Sequence, residues 1–157
     1  MDMWPRLRPA TNADGEQIRD LVYTVLDEYG LKPDPASTDA DLDDIEQSYF
    51  AQGGTFQVLA EENGSIIGAY GLYRMNGHTC ELRKMYLHRA YRGKGLGKRL
   101  LDDALANARG LGFGRVVLET ASVLTEAIGL YERCGFTPYR PDHLSARCDQ
   151  AYVLILE

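Results

Sequence analysis

The 157-residue chain has few cysteines and no long apolar run. Cys80, Cys134 and Cys148 lie far apart and have no CxxC spacing, so the sequence predicts reduced thiols and no zinc site. No apolar stretch approaches the ~18 residues of a membrane-spanning helix. The first ten residues also lack the apolar core of a signal peptide. These absences predict a cytoplasmic protein with no metal cofactor and no membrane partner.

An excess of positive charge is also missing. The net charge is −6, which argues against nucleic acid as a partner, although a local basic patch extends from Arg89 to Arg99. Apolar residues make up 45% of the chain and charged residues 25%, as in ordinary globular proteins. Because no linker or internal repeat is evident, we expect a single domain over residues 6–157.

Apolar spacing and turn residues predict a chain of the α/β class in the order β-α-α-β-β-β-α-β-α-β-β. The three consecutive strands in this order are joined by Asn63-Gly64 and Asn76-Gly77, which are strong signals for hairpin turns. An acidic helix before them is expected to place Leu42, Ile45 and Tyr49 on one side. We therefore expect a mixed sheet, with helices around an antiparallel meander.

A glycine-rich loop follows the last strand of that meander and precedes a helix. Gly93, Gly95 and Gly97 alternate with Lys94, Leu96 and Lys98, directly after Arg92. Glycines let backbone N–H groups approach a ligand, and a helix N-terminus attracts anions, so the loop predicts a pyrophosphate site. A Walker A loop would need glycine at Arg92, and a dinucleotide GxGxxG fingerprint would need glycine at Lys98, so neither pattern fits.

The pattern that does fit is R/Q-x-x-G-x-G, from Arg92 to Gly97, and it resembles the acetyl-CoA signature of the GNAT family of N-acetyltransferases. A later A-x-x-L-Y followed by G-F, with Ala127, Tyr131 and Gly135, also matches that family. The resemblance extends from Leu7 to Leu156. It implies a GNAT-type fold with a mixed, mostly antiparallel central sheet and acetyl-CoA as cosubstrate.

The resemblance also implies roles for particular residues. Tyr131 stands where the family commonly keeps a tyrosine that protonates the departing thiolate; the alternative is a tyrosine that only packs by its ring. Glu81, eleven residues before Arg92, stands where one branch keeps its general base; the alternative is a strand glutamate paired with Arg83 or Lys84. The expected cofactor-binding residues combine the loop with backbone groups of the strand before it. They are Met85, Tyr86, Leu87, Arg92, Gly93, Lys94, Gly95, Leu96, Gly97 and Lys98.

The function implied is transfer of acetyl from acetyl-CoA to a primary amine of a small molecule, peptide or protein, by direct attack in a ternary complex. The alternative is a non-catalytic acyl-CoA-binding or regulatory module with the same fold. Dimers are common in the family, so the resemblance is compatible with a homodimer and leaves the oligomeric state open. Leu124 departs from the asparagine that many members keep there, which leaves one cofactor contact open. The acidic stretch from Asp34 to Glu46 is interpreted either as a solvated face or as an attractor for a cationic amine.

Overall fold

The computed structural model describes residues 4–156; residues 1–3 and Glu157, the last residue of the expected domain, lie outside the described residues. The described residues contain seven strands and four α-helices, and the predicted order of elements is confirmed. The strands are β1 (Arg6–Pro9), β2 (Thr55–Ala60), β3 (Ile66–Arg74), β4 (Thr79–Leu87), β5 (Arg115–Thr120), β6 (Thr137–Pro138) and β7 (Gln150–Ile155). The helices are α1 (Gly15–Glu28), α2 (Ile45–Ser48), α3 (Leu96–Gly110) and α4 (Thr125–Arg133).

The strands form one sheet in the order β1-β2-β3-β4-β5-β7-β6. Every neighbouring pair of strands in it is antiparallel except β4 and β5, which are parallel. This is the mixed, mostly antiparallel sheet that the sequence predicted. None of the helices that the structure describes is long and apolar enough to cross a membrane.

The predicted acidic helix is broken into short pieces. A 3₁₀ turn (Ala40–Asp43) is followed by Asp44, whose extended backbone, with φ of −147°, interrupts the helix. The Asp44 carboxylate then accepts a hydrogen bond from the N–H of Gln47 at 3.0 Å and so caps α2. The three apolar residues of the prediction are nevertheless all buried: Leu42, Ile45 and Tyr49.

The two faces of the sheet are covered by different helices. The α3 and α4 side holds a core that includes Leu101 and Leu118, both almost fully buried. The α1 and α2 side holds a second core that includes Ile18 and Phe56. Because apolar side chains pack against both faces, a ligand reaches the centre of the sheet only where neighbouring strands separate.

The parallel strands β4 and β5 separate in this way. They pair only from Thr79 to Glu81, opposite Arg115 to Val117, whereas β4 continues to Leu87. Lys84 has a positive φ of 55°, and the register of β4 against β3 shifts beside it. A bulge adds a residue and increases the local twist, so β4 bends here and its edge beyond Glu81 is left unpaired on the β5 side. The resulting gap lies at the centre of the candidate site.

Candidate active site

The glycine-rich loop has the geometry expected of an anion-binding turn. Gly93 and Gly95 have φ values of +78° and +79°, and a Cβ atom added to either would meet nothing within 4 Å. Gly95 is the N-cap residue of α3, and no side chain of the described residues caps this helix end. The first N–H groups of α3 therefore have no acceptor among the described residues, and an anion would satisfy them.

Arg92 is already engaged by other parts of the protein. Its guanidinium forms an ion pair with Glu28 at the end of α1 and donates two hydrogen bonds, of 2.9 and 3.1 Å, to the carbonyl of Leu87. It also donates to the hydroxyl of Tyr29 at 3.1 Å. Arg92 thus fixes the loop to β4 and to α1. Because its charge already has a carboxylate partner, backbone N–H groups are left as the main donors to an anion.

A cleft of about 700 Å³, the first cleft, lies between this loop, the end of β4 and one face of α4. Eight of the ten predicted cofactor-binding residues line it: Met85, Tyr86, Leu87, Arg92, Gly93, Gly95, Gly97 and Lys98. The other two lie outside its lining. Leu96 packs against the core, and Lys94 lies 5.6 Å from the ring centre of Tyr91. Leu124, which stands where many members of the resembling family keep asparagine, lines the cleft with an apolar side chain.

A second cleft of about 610 Å³ lies on the other side of the β4–β5 gap. Its wall combines the segment after α1, strand β4, the end of β5 and the long loop 139–149 before β7. Glu81 lines this cleft, is 8% exposed and forms an ion pair with Arg83. Glu81 is therefore paired with a neighbouring cation of its own strand, as the alternative interpretation expected. Its role as a base stays a prediction.

A small connecting cavity of about 70 Å³ lies in the gap between β4 and β5. It shares Met85, Tyr86, Leu124 and Ala127 with the first cleft. It shares Lys84, Tyr86, Glu119, Arg147 and Cys148 with the second cleft. Two separate ligands, one in each cleft, would therefore meet at this cavity.

Tyr131 of α4 lines the connecting cavity and is 6% exposed. Its ring packs near Phe136 and Tyr152, with centroid distances of 5.7 and 6.5 Å. Among the residues that the structure describes, no side chain forms a hydrogen bond with its hydroxyl. Burial, with smaller contributions from Tyr86 and Cys148, raises the pKa of the Tyr131 phenol above its usual value. The phenol therefore keeps its proton at neutral pH, as a proton donor must, and the same shift makes it a weaker acid; its ring packing is compatible with proton donation.

A buried network of charges supports the second cleft. Asp39, 1% exposed, accepts hydrogen bonds of 2.7 and 2.8 Å from both terminal nitrogens of Arg147. The Lys84 ammonium lies 3.4 Å from Asp39 and 3.2 Å from Asp41. Burial by itself raises the pKa of Asp39, but the Arg147 hydrogen bonds, the Asp34 N–H and the Lys84 charge together hold it below its usual value. Part of the acidic stretch is therefore neither a solvated face nor open to a ligand.

Glu119 and the residues of the 139–149 loop line the second cleft but were not predicted from the sequence. Glu119 stands near the end of the short apolar strand β5, and a charged residue there is a usable signal for a site. The loop gave no periodic signal, and its Arg147 meets a carboxylate 108 residues away in the chain. Only the folded chain brings these residues to the same cleft.

Comparison with known proteins agrees with this geometry. The sequence model of the acetyltransferase (GNAT) family matches residues 19–136. The uncharacterized N-acetyltransferase YjgM of Escherichia coli strain K12 is 42% identical over 137 residues, which cover 84% of this chain and 81% of that protein. The chain therefore belongs to the GNAT family of acetyltransferases.

Solved structures show the same fold. A GNAT-family acetyltransferase of Staphylococcus aureus Mu50 superposes with a TM-score of 0.90 at 23% identity, over 97% of this chain and 99% of that one. The structure of yncA of Salmonella typhimurium, with its cofactor acetyl-CoA, gives a TM-score of 0.73 at 26% identity, over 97% and 94% of the two chains. With the family match, the named relatives define the protein as a GNAT-family N-acetyltransferase.

Proposed function

We propose that the protein transfers acetyl from acetyl-CoA to a primary amine in a ternary complex, across the connecting cavity. The observation that carries the proposal is that two clefts share lining residues at one small cavity beside Tyr131. Acetyl-CoA belongs in the first cleft, where the uncapped α3 terminus and the open space above Gly95 suit its pyrophosphate. The amine then enters from the second cleft.

The backbone of β4 positions the thioester in this proposal. Beyond Glu81 the strand has no β5 partner, so the main chain from Met85 to Leu87, apart from the Leu87 carbonyl that Arg92 already binds, would pair with the amides of pantetheine as an added strand does. Acetyl-CoA supplies an acetyl group activated as a thioester. The Met85 N–H would polarise the thioester carbonyl, and Tyr131 would give its proton to the departing thiolate.

The charges of the second cleft favour a cationic acceptor. Its cations Arg83, Lys84 and Arg147 each lie beside a carboxylate of the protein. The carboxylates of Asp34 and Glu119 instead accept hydrogen bonds from neutral donors, Thr38 and Ser145. The cleft thus offers uncompensated negative charge, which attracts an amine in its protonated form. The amine must then lose a proton before it can attack, and both Glu81 and Glu119 line the cleft as candidates to accept it.

A cytoplasmic location and a homodimer remain predictions. The three cysteines are free thiols, which suits a reducing compartment. Light scattering at micromolar concentration decides the oligomeric state: a mass near twice 17.5 kDa would indicate the homodimer, and a mass of 17.5 kDa would indicate a monomer.

An acceptor screen tests the proposed function. Purified protein is mixed with acetyl-CoA and a panel of phenethylamine, cadaverine, phenylalanine and a lysine-containing peptide at about pH 8, where part of each amine pool is neutral. Free thiol and acetylated product, measured separately, should increase in equal amounts. Tight acetyl-CoA binding without product from any amine would instead indicate the non-catalytic acyl-CoA-binding module.

A further inference from the structure

We propose that Glu119, and not Glu81, takes the proton from the acceptor amine; this rests on the proposed function. Both carboxylates line the second cleft, but Glu119 alone of the two also lines the connecting cavity with Tyr131. A base must lie within hydrogen-bond reach of the nitrogen that attacks. The attack takes place where the two clefts meet, so the position of Glu119 fits this requirement.

Strand geometry explains why Glu119 reaches the cavity. Glu81 is paired with Val117 at the last point of contact between β4 and β5. Glu119 lies two residues beyond Val117, and side chains two residues apart in a strand point to the same face. Glu81 and Glu119 therefore share one face of the sheet. Glu119, however, lies further along β5, on the side where the strands have separated.

The partners of the two carboxylates also differ. Glu119 accepts hydrogen bonds from the N–H and hydroxyl of Ser145, at 2.8 and 3.0 Å, and both donors are neutral. Glu81 forms an ion pair with Arg83, a half-buried cation. A proton on Glu81 would remove the charge that stabilises Arg83, whereas a proton on Glu119 breaks no ion pair among the residues that the structure describes.

The reaction balances with these two residues. The protonated amine first gives one N–H proton to the Glu119 carboxylate, and the neutral nitrogen then forms its bond to the acetyl carbon. The bond between that carbon and sulfur breaks with its electron pair on sulfur, and the thiolate takes the proton of the Tyr131 hydroxyl. A second N–H proton leaves the acylated nitrogen and returns to Tyr131 through solvent, and Glu119 releases its proton to bulk solvent. The products are the acetylated amine, CoA with a free thiol and one proton.

The test compares Glu119→Gln and Glu81→Gln by their kcat/KM against pH, with the fastest acceptor of the panel described above. Glutamine keeps the size of the side chain, and its amide oxygen still accepts from Ser145. Glu119→Gln should lower kcat/KM by about 10²- to 10³-fold below the pKa of the amine and recover part of the loss at higher pH, where more amine is already neutral. Glu81→Gln should give a profile parallel to that of the wild type.

Other ionisable groups near Glu119 have to be separated from it. Lys84, Tyr86, Tyr131, Arg147 and Cys148 share the connecting cavity, and Glu81 faces the same cleft. Each is unchanged in Glu119→Gln, so the ratio of variant to wild-type rate at each pH cancels their direct effects. Ser145→Ala is a second readout: it removes a donor to the Glu119 carboxylate, so the acidic limb of the profile should move to higher pH.

The outcomes separate this proposal from the proposed function. Wild-type turnover with parallel profiles for Glu119→Gln would overturn the role of Glu119 and leave the transferase function intact. A changed profile for Glu81→Gln alone would give the role to Glu81. Absence of product from the wild type with every amine of the panel would overturn both proposals.

Discussion

The first cleft takes much of its wall from one stretch of chain, residues 85–100, whereas the second cleft combines segments around residues 34–38, 81–86, 119 and 143–148. In the first cleft the ligand-facing groups are mainly backbone N–H groups, exposed by glycines and a helix terminus. In the second they are side chains, many of them charged. Under the proposed function, recognition of the cofactor is thus largely local in sequence, and recognition of the acceptor depends on tertiary structure.

The two clefts also differ in how their charges are balanced. Arg92 of the first cleft is paired with Glu28 at the surface of the loop. The second cleft depends on a buried network in which Asp39 binds both Arg147 and Lys84. Substitutions in the first cleft should therefore affect binding, and substitutions beneath the second should affect stability.

The largest expected effect comes from Gly95→Val, which should abolish CoA binding. A valine would project into the open space at the start of α3, and its backbone would have to adopt a φ of +79°. Isothermal calorimetry with CoA measures the loss. The control is Gly64→Val, a hairpin position with a φ of +93° and equally open surroundings. Both variants carry comparable backbone strain, so equal CoA affinities would contradict the role of the loop.

Tyr131→Phe should lower kcat by about 10²- to 10⁴-fold and leave acetyl-CoA affinity nearly unchanged, because the ring packing stays and only the proton donor is lost. Tyr152→Phe is the matched control, since Tyr152 packs beside it but directs its hydroxyl to Glu132 and Gln150. If Tyr131→Phe turned over at the wild-type rate with chemistry limiting, Tyr131 would be a packing residue only.

Asp39→Asn should lower the free energy of unfolding by about 3–5 kcal/mol, because it leaves Arg147 without its buried carboxylate partner and removes one of the two carboxylates beside the buried Lys84. Urea denaturation measures the change. The control, Asp102→Asn, removes the partner of Lys98 in an exposed surface pair and should change the free energy of unfolding far less. Similar losses in the two variants would contradict the network's role in supporting the second cleft.

The pH dependence of stability follows from the same carboxylate. The pKa of Asp39 is lower in the folded protein than in the unfolded chain, where it is about 4. The stabilising contribution of Asp39 is therefore fully present above about pH 4, and it is lost as pH falls through the pKa of the folded state. The difference in stability between wild type and Asp39→Asn should therefore shrink below about pH 4. A difference that stayed constant down to the lowest pH at which both proteins fold would contradict the assignment.

The smallest effect concerns the acceptor. Because the second cleft has excess negative charge, phenethylamine should be acetylated about tenfold more efficiently than phenylalanine, which adds a carboxylate to the same skeleton. Asp34→Asn should reduce this preference, and so should added salt. Equal kcat/KM for the pair would show that the cleft's charge does not select the acceptor.

The difference between the clefts also explains how much of the site the sequence could predict. The loop from Arg92 to Gly97 was predictable because glycine spacing constrains the backbone locally. The hairpins and the order of elements were predictable for the same reason. The Asp39–Arg147 pair was not, since no local pattern links residues so far apart. Likewise, the acidic helix was predicted from spacing, but the cap at Asp44 divided it.

The central claim is that acetyl transfer takes place across the cavity between β4 and β5. Ala121 is 5% exposed and lines that cavity, but it lines neither of the two clefts. The larger side chain of Ala121→Leu should therefore fill the cavity without touching the glycine loop. Ala106→Leu makes the same change on the exposed face of α3 and serves as the control. We expect Ala121→Leu to bind acetyl-CoA as the wild type does, by calorimetry, and to lose about 10²-fold or more in kcat. Wild-type turnover by a folded Ala121→Leu enzyme would contradict transfer through this cavity.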